Sequence, residues 1–132
     1  MEKELLNTFD KELLLKDICA RLPYGVKIQV PYEDGSGYFD ETVWEVNNDG
    51  PFHVNGWGIE YEYVKPYLFP LSSMTEEQKM FLKQQNWCIA ISTSGTVETT
   101  IEGIDWLNKN HFDYRCLIEK GLAIDATGLN IY

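Results

Sequence analysis

The chain has 132 residues, 44% of them hydrophobic and 14% aromatic, and a formal net charge of −10. That length fits a single domain over 1–132 that needs no metal or disulfide staple, and the aromatic content excludes a disordered chain. The longest unbroken apolar run, 87–91, is far too short for a membrane span, and the acidic start Met1-Glu2-Lys3-Glu4 is no secretory signal.

Leu14, Leu15, Ile18, Cys19 and Leu22 form an apolar stripe at helical period. They predict a helix over 10–22, with Lys11, Glu12, Lys16 and Asp17 mostly on its outer side. Pro23 ends it, because proline disfavours helical geometry in the residue before it. The pattern then turns to period two. Val26, Ile28 and Val30 alternate with Lys27 and Gln29, as in a half-buried strand. Asp34-Gly35-Ser36-Gly37 reads as a turn, 38–46 as the partner strand, and Asn47-Asn48-Asp49-Gly50 as the next reversal. Asn55-Gly56 is a further hairpin signal, after which Ile59, Tyr61 and Tyr63 alternate with Glu60 and Glu62. Residues 64–71 are extended, punctuated by Pro66 and Pro70. The spacing predicts an antiparallel β meander over 25–71. It is either curled into a small SH3-like barrel or left flat under helices.

The part from 75 to 124 mixes helices and short strands. Thr75-Glu76-Glu77-Gln78 is a capping box opening a helix to about residue 85, which buries Met80, Phe81 or Leu82. Residues 87–92 read as a strand. Residues 92–99 read either as a loop or as a hairpin through Thr96-Val97-Glu98-Thr99. Thr100 caps a helix with Ile101, Ile104 and Leu107 on one side. Asp113 caps a short helix through 120, with Gly121 at its C′ position, and 122–124 forms a last strand. The class is therefore α+β: an N-terminal helix, a β meander and C-terminal helices.

Charge is concentrated in one segment. Between residues 33 and 62 stand eight acids and no Lys or Arg, whereas the other 102 residues carry 13 acids and 11 bases. Such a field opposes direct nucleic-acid binding, which needs cations to displace phosphate counterions. It suits a basic protein partner, or plain solubility. Tyr38, Phe39, Trp44, Phe52, Trp57, Tyr61 and Tyr63 lie among these carboxylates, and strand alternation turns about half of them inward. Asp40, Glu41, Glu45, Trp57, Glu60 and Glu62 are the candidate binding residues. A solvated acidic face without a partner is the plain alternative.

The chemical motifs are thin. Gly35-Ser36-Gly37 and Gly56-Trp57-Gly58 lack the strand-to-helix context and lysine of a phosphate loop, and hairpin turns explain them better. Asp34, Ser36, Tyr38 and Asp40 miss the calcium-loop pattern, whose sixth position, here Phe39, must be glycine. His53 has no second histidine nearby, so no metal and no cofactor is expected. His111-Phe112-Asp113-Tyr114-Arg115-Cys116 places a base, an acid and a nucleophile within six residues. A turn with Cys116 as a small core residue accounts for it more simply than catalysis, so no catalytic residue is assigned. Cys19, Cys88 and Cys116 form no Cys-x-x-Cys pair and read as reduced thiols of a cytoplasmic protein, with no intramolecular disulfide.

Three stretches carry a resemblance. They are Leu15-Lys16-Asp17-Ile18-Cys19-Ala20-Arg21-Leu22-Pro23-Tyr24-Gly25-Val26, then Val64-Lys65-Pro66-Tyr67-Leu68-Phe69-Pro70-Leu71-Ser72-Ser73-Met74-Thr75-Glu76-Glu77, and the C-terminal run from Ile104-Asp105-Trp106-Leu107 through His111-Phe112-Asp113-Tyr114-Arg115 to Gly121-Leu122-Ala123. Together they resemble an uncharacterised family of small phage- and mobile-element-associated proteins of gut bacteria. The family brings no known activity, and its relatives resemble this chain except for Arg at 69 and Gly at 116. The resemblance implies an accessory protein acting in the cytoplasm. The expected function is a non-enzymatic protein-interaction module using the acidic, aromatic-rich sheet surface. A nucleic-acid-mimicking inhibitor is one alternative, and a small hydrolase or transferase using Cys116 with His111 is another.

Overall fold

The computed structural model describes residues 8–32, 34–47, 50–53, 64–87, 90–91 and 97–132. Helix α1 spans Thr8–Arg21 and buries Leu14, Asp17, Ile18 and Arg21. Those positions are spaced three and four apart, so they form one face. Two expectations are corrected here. Asp17 is buried, not outward, because it bonds Arg21 one turn on. Cys19 is exposed, because the buried arc is centred on Leu14, Ile18 and Arg21 and position 19 lies a further step around the helix.

A short 3-10 turn, Leu22–Tyr24, carries Pro23 in its first turn and ends at Gly25. Gly25 adopts a left-handed φ of 69°, which redirects the chain into the sheet at little steric penalty. Strands β1 (Lys27–Pro31), β2 (Tyr38–Asn47) and β3 (Gly50–His53) then form an antiparallel meander, which covers the first part of the one expected over 25–71. Val26, Ile28 and Val30 all point into the core, as their alternation requires.

Strand β4 (Lys65–Pro70) returns to the other edge of β1 and pairs with it antiparallel. A 3-10 turn at Leu71–Ser73 leads to α2 (Glu76–Gln84), whose N-terminus is the predicted capping box of Thr75 and Gln78. Leu82 is the buried residue of α2, while Met80 and Phe81 are exposed. Strands β5 (Ala90–Ile91) and β6 (Val97–Glu98) make the hairpin that was one of the two readings of 92–99. Helix α3 (Ile101–Lys109) is capped by the Thr100 hydroxyl, which accepts from the Gly103 amide. Leu107 is buried, but Ile101 faces solvent.

Two further short strands pair with β4. These are β7 (Phe112–Asp113), parallel to Phe69 and Pro70, and β8 (Ile124–Asp125), parallel to Tyr67 and Leu68. The helix expected over 113–120 is instead a series of turns. Asp113 does cap it, accepting from the amides of Leu117 and Ile118, and Gly121 takes the predicted left-handed φ of 75°. Cys116, also at positive φ, interrupts the helical path between them.

The fold is α+β, with sheet order β3-β2-β1-β4-β7 and β8 beside β4. No pairing among the described residues joins the outer strands, so among them the sheet is open and does not close into a barrel. One face packs on α1 through Leu14, Ile18, Ile28, Val30, Val43 and Leu68. The hairpin at Asn55-Gly56 and the strand expected over 59–63 lie outside the described residues. Among the described residues no helix is long and apolar enough to cross a membrane.

Candidate functional site

The acidic segment is split by the sheet. Asp40 stands opposite Gln29 in register and is exposed, while the neighbouring Glu41 stands opposite Ile28 on the other face and is half-buried. Consecutive strand residues point to opposite sides, so these two carboxylates do not share a surface. Asp40 accepts a short hydrogen bond from the Tyr67 hydroxyl. Burial, reinforced by Asp40, pushes that phenol up to about 12. Glu45 lies within β2, its side chain outside the described set, and Trp57, Glu60 and Glu62 are outside it altogether.

At the turn of the β1–β2 hairpin, Tyr32 is 48% and Tyr38 59% exposed. Phe39 backs Tyr32 with ring centroids 5.0 Å apart. The Asp34 carboxylate accepts from the Ser36 amide at 2.9 Å, and its hydrogen bonds to Ser36 hold it below the usual carboxylate range. The hairpin end thus displays aromatic rings beside the Asp34 carboxylate.

The segment 111–116 holds no activated nucleophile. Asp113 is committed to the two amides it caps. Burial pushes the Cys116 thiol up, and Asp113 and Glu119 add to this against the pull of Lys120. A reactive thiol needs the opposite shift. Cys19 is likewise a free thiol raised by burial, and Cys88 lies outside the described residues. No group of His, Cys, Asp and Glu suited to a metal ion occurs among the described residues.

Around Phe112 two buried polar sites were not legible in advance. In the first, Arg21 is 0% exposed and holds Asp17 with both Nε and Nη2, at 2.9 and 3.0 Å. It also donates to the carbonyls of Phe112 at 2.6 Å and Leu107 at 3.5 Å. Arg115 donates to the same Asp17 at 2.8 Å, and both guanidinium groups lie over the Tyr114 ring, whose hydroxyl donates to Asn108. This junction ties α1 to the end of α3 and to β7.

The second is built on His111. It follows the C-cap of α3 at φ 61°, where glycine is the usual occupant. Its carbonyl accepts from the Phe69 amide at 2.8 Å, which fastens it to β4. The residue is 6% exposed and its ring stacks on Tyr132, with centroids 3.7 Å apart and planes within 10°. Its Nδ1 is buried without a hydrogen-bond partner. Burial, with the Arg21 charge, lowers the imidazole to about 4 despite Asp17, so it is neutral at pH 7.

Tyr132 is placed by its hydroxyl. It accepts from the Lys27 amide at 2.9 Å and donates to the Tyr67 carbonyl at 2.8 Å, bridging β1 and β4 just beyond their last paired residues. Lys27 Nζ anchors the same tail by donating to the Ile131 carbonyl at 2.9 Å. Burial raises the Tyr132 phenol well above its ordinary value, so it stays protonated.

His111, Tyr132, Phe69 and Phe112 form part of a cavity of about 480 Å³. Ser73, Thr75 and Gln78 line it from the start of α2, Lys109 and Asn110 from the end of α3, and Thr127 and Gly128 from the tail. Its volume lies within the range of small-molecule sites. Sequence reading missed it because its residues come from separate segments. The one local signal was a histidine directly after a helix, where a glycine would be at ease. No protein-family model, curated protein or solved structure matches the chain.

Proposed function

We propose that the protein is a non-enzymatic cytoplasmic interaction module, of the phage or mobile-element type its sequence resembles, that binds a basic protein segment. The observation that carries this reading is the hairpin end, where exposed Tyr32 and Tyr38 stand beside Asp34 and Asp40 within a segment lacking any base. Arginine and lysine side chains pair with such a surface twice, with the carboxylates as ions and with the rings through cation–π contact. Glu45, Trp57, Glu60 and Glu62 belong to the same base-free stretch of sequence and are included in this reading. The clustered acids repel one another, and a cationic partner relieves that repulsion and associates rapidly at low salt. Mimicry of nucleic acid is less favoured, because it needs acids aligned on one face and Asp40 and Glu41 diverge. Catalysis by Cys116 with His111 is less favoured because the thiol is raised and the imidazole is stacked.

Titration of the 15N-labelled protein with an arginine-rich peptide tests the reading. Amide shifts should concentrate at 32–41 and weaken steeply with salt, and Tyr38→Ser should reduce affinity. Shifts spread over the whole surface, or indifference to Tyr38→Ser, would overturn it.

A further inference from the structure

We infer that the slot holding Tyr132 is a tyrosine-recognition site that the chain fills from its own tail, and that a tyrosine-bearing segment of a partner protein takes the slot when the tail swings out. The inference does not rest on what the acidic hairpin binds.

The slot is built by the body of the fold. In the β1–β4 register Ile28 stands opposite Pro66 and Gln29 opposite Lys65, so the next positions in line are Lys27 and Tyr67. A phenol bridges them. The Lys27 amide donates to the Tyr132 hydroxyl at 2.9 Å, and that hydroxyl donates to the Tyr67 carbonyl at 2.8 Å. The occupant must therefore accept one hydrogen bond and give another at a single atom. Phenylalanine does neither, and a phosphorylated tyrosine has no proton on that oxygen. The ring is read by His111, stacked at 3.7 Å between centroids, and by Phe69 at 6.0 Å. Lys27 Nζ adds a bond to the carbonyl of Ile131, a group that any residue at that place supplies. These contacts read a phenol and the carbonyl just before it, whatever the rest of the segment.

The tail is tied at its two ends and not between them. Ala126 is 1% exposed and its amide donates to the Leu68 carbonyl at 2.8 Å, whereas 127–130 are exposed. Among the described residues, the amides of Thr127 and Leu129 bond only back to Asp125 and Ala126. Gly128 takes a left-handed φ of 78°, and a Cβ there would meet nothing within 4 Å. Thr127, Gly128 and Tyr132 border the cavity of about 480 Å³, so the tail bridges that space without filling it. A tail that served only to close the fold would gain most by packing along its length, because burial scales with area. This one crosses a gap to deliver one side chain. Tyr132 also keeps 42% of its surface exposed, so the slot opens to solvent. Its release leaves the Lys27 amide and the Tyr67 carbonyl without their bridge, which favours refilling by another phenol.

Tyr132→Gly in the full 15N-labelled chain vacates the slot, and the peptide of sequence 126–132 is the probe. It should bind saturably, with shifts at the amides of Lys27, Phe69 and His111. The same peptide with phenylalanine for tyrosine should bind about ten-fold or more weakly, because the bridged groups then stay unpaired. The phosphotyrosine peptide should not saturate. Wild type, whose slot is filled in cis, should bind the tyrosine peptide about ten-fold or more weakly than Tyr132→Gly. Tyr132→Phe, which keeps the ring, supplies an arm that stands even where Tyr132→Gly does not fold. Its tail should be displaced at about one-tenth of the peptide concentration that wild type needs, read at the Gly128 and Leu129 amides. Equal binding of the tyrosine and phenylalanine peptides, equal binding by wild type and Tyr132→Gly, or a Tyr132→Phe tail that the peptide does not displace would each overturn the inference. A concentration-dependent dimer of wild type that Tyr132→Gly loses would assign the slot to a second copy and overturn the partner reading.

Discussion

Arg21 and His111 lie on either side of the same peptide segment, and both are buried, yet they are treated in opposite ways. Arg21 bonds Asp17 with two nitrogens, reaches two backbone carbonyls, and shares Asp17 with Arg115. His111 is stacked on a ring but leaves Nδ1 without a partner. A saturated network fixes one arrangement of the elements it joins, so the Arg21 junction reads as architecture. The His111 Nδ1 is sealed from solvent with its bond unmet, so the fold bears a penalty there instead of gaining a fixed joint. The two are also coupled, since the Arg21 charge helps keep the imidazole neutral.

The strongest way to break the comparison is to open the junction. Arg21→Met should strip Asp17 of its bidentate partner and leave the Phe112 carbonyl without its donor, lowering stability by about 3–5 kcal/mol in urea denaturation. The double variant Asp17→Asn with Arg21→Met should recover part of that loss, because it removes the stranded charge.

Acid probes the other side. His111 has a folded value of about 4 against an ordinary 6.5, so the unfolded chain takes up a proton that the folded chain refuses. Its contribution is complete above pH 6.5 and is lost as pH falls from there to about 4. The loss should be on the order of 2–3 kcal/mol. Comparing denaturation curves of wild type and His111→Asn across that window isolates it from the carboxylates, and the variant should show the flatter profile.

Two smaller changes sharpen the picture. Tyr132→Phe keeps the ring against His111 but removes the hydroxyl bridge between β1 and β4. It should destabilise by about 1–2 kcal/mol, and the Lys27 amide should exchange faster with deuterium. Thr75→Ala removes one half of the α2 capping box and should reduce stability by about 1 kcal/mol, with faster exchange confined to the first turn of α2.

Much of this was legible in the sequence wherever the cause is local. Alternation at Val26, Ile28 and Val30 specified the inner face of β1, and the hydroxyls of Thr75 and Thr100 marked two helix starts, because these signals act over a few residues. The helical stripe of α1 was visible too, though Asp17 was assigned outward because a lone carboxylate has no reason to be buried until Arg21 and Arg115 surround it. The short helix expected after Asp113 failed for a related reason: its cap formed, but pairing of β7 and β8 with β4 governed the path beyond it.

The site itself depended on distance along the chain. Asp40 and Glu41 could be identified as acids of one segment, but which face each took was decided by register against β1. Lys27 meets Tyr132 across 105 positions, and the His111 cavity draws on β4, the start of α2, the end of α3 and the tail. Periodicity and capping carry no information over such separations. Only the folded chain, with β4, α2, α3 and the tail brought together, put a neutral histidine, a tyrosine and a lysine around the same space.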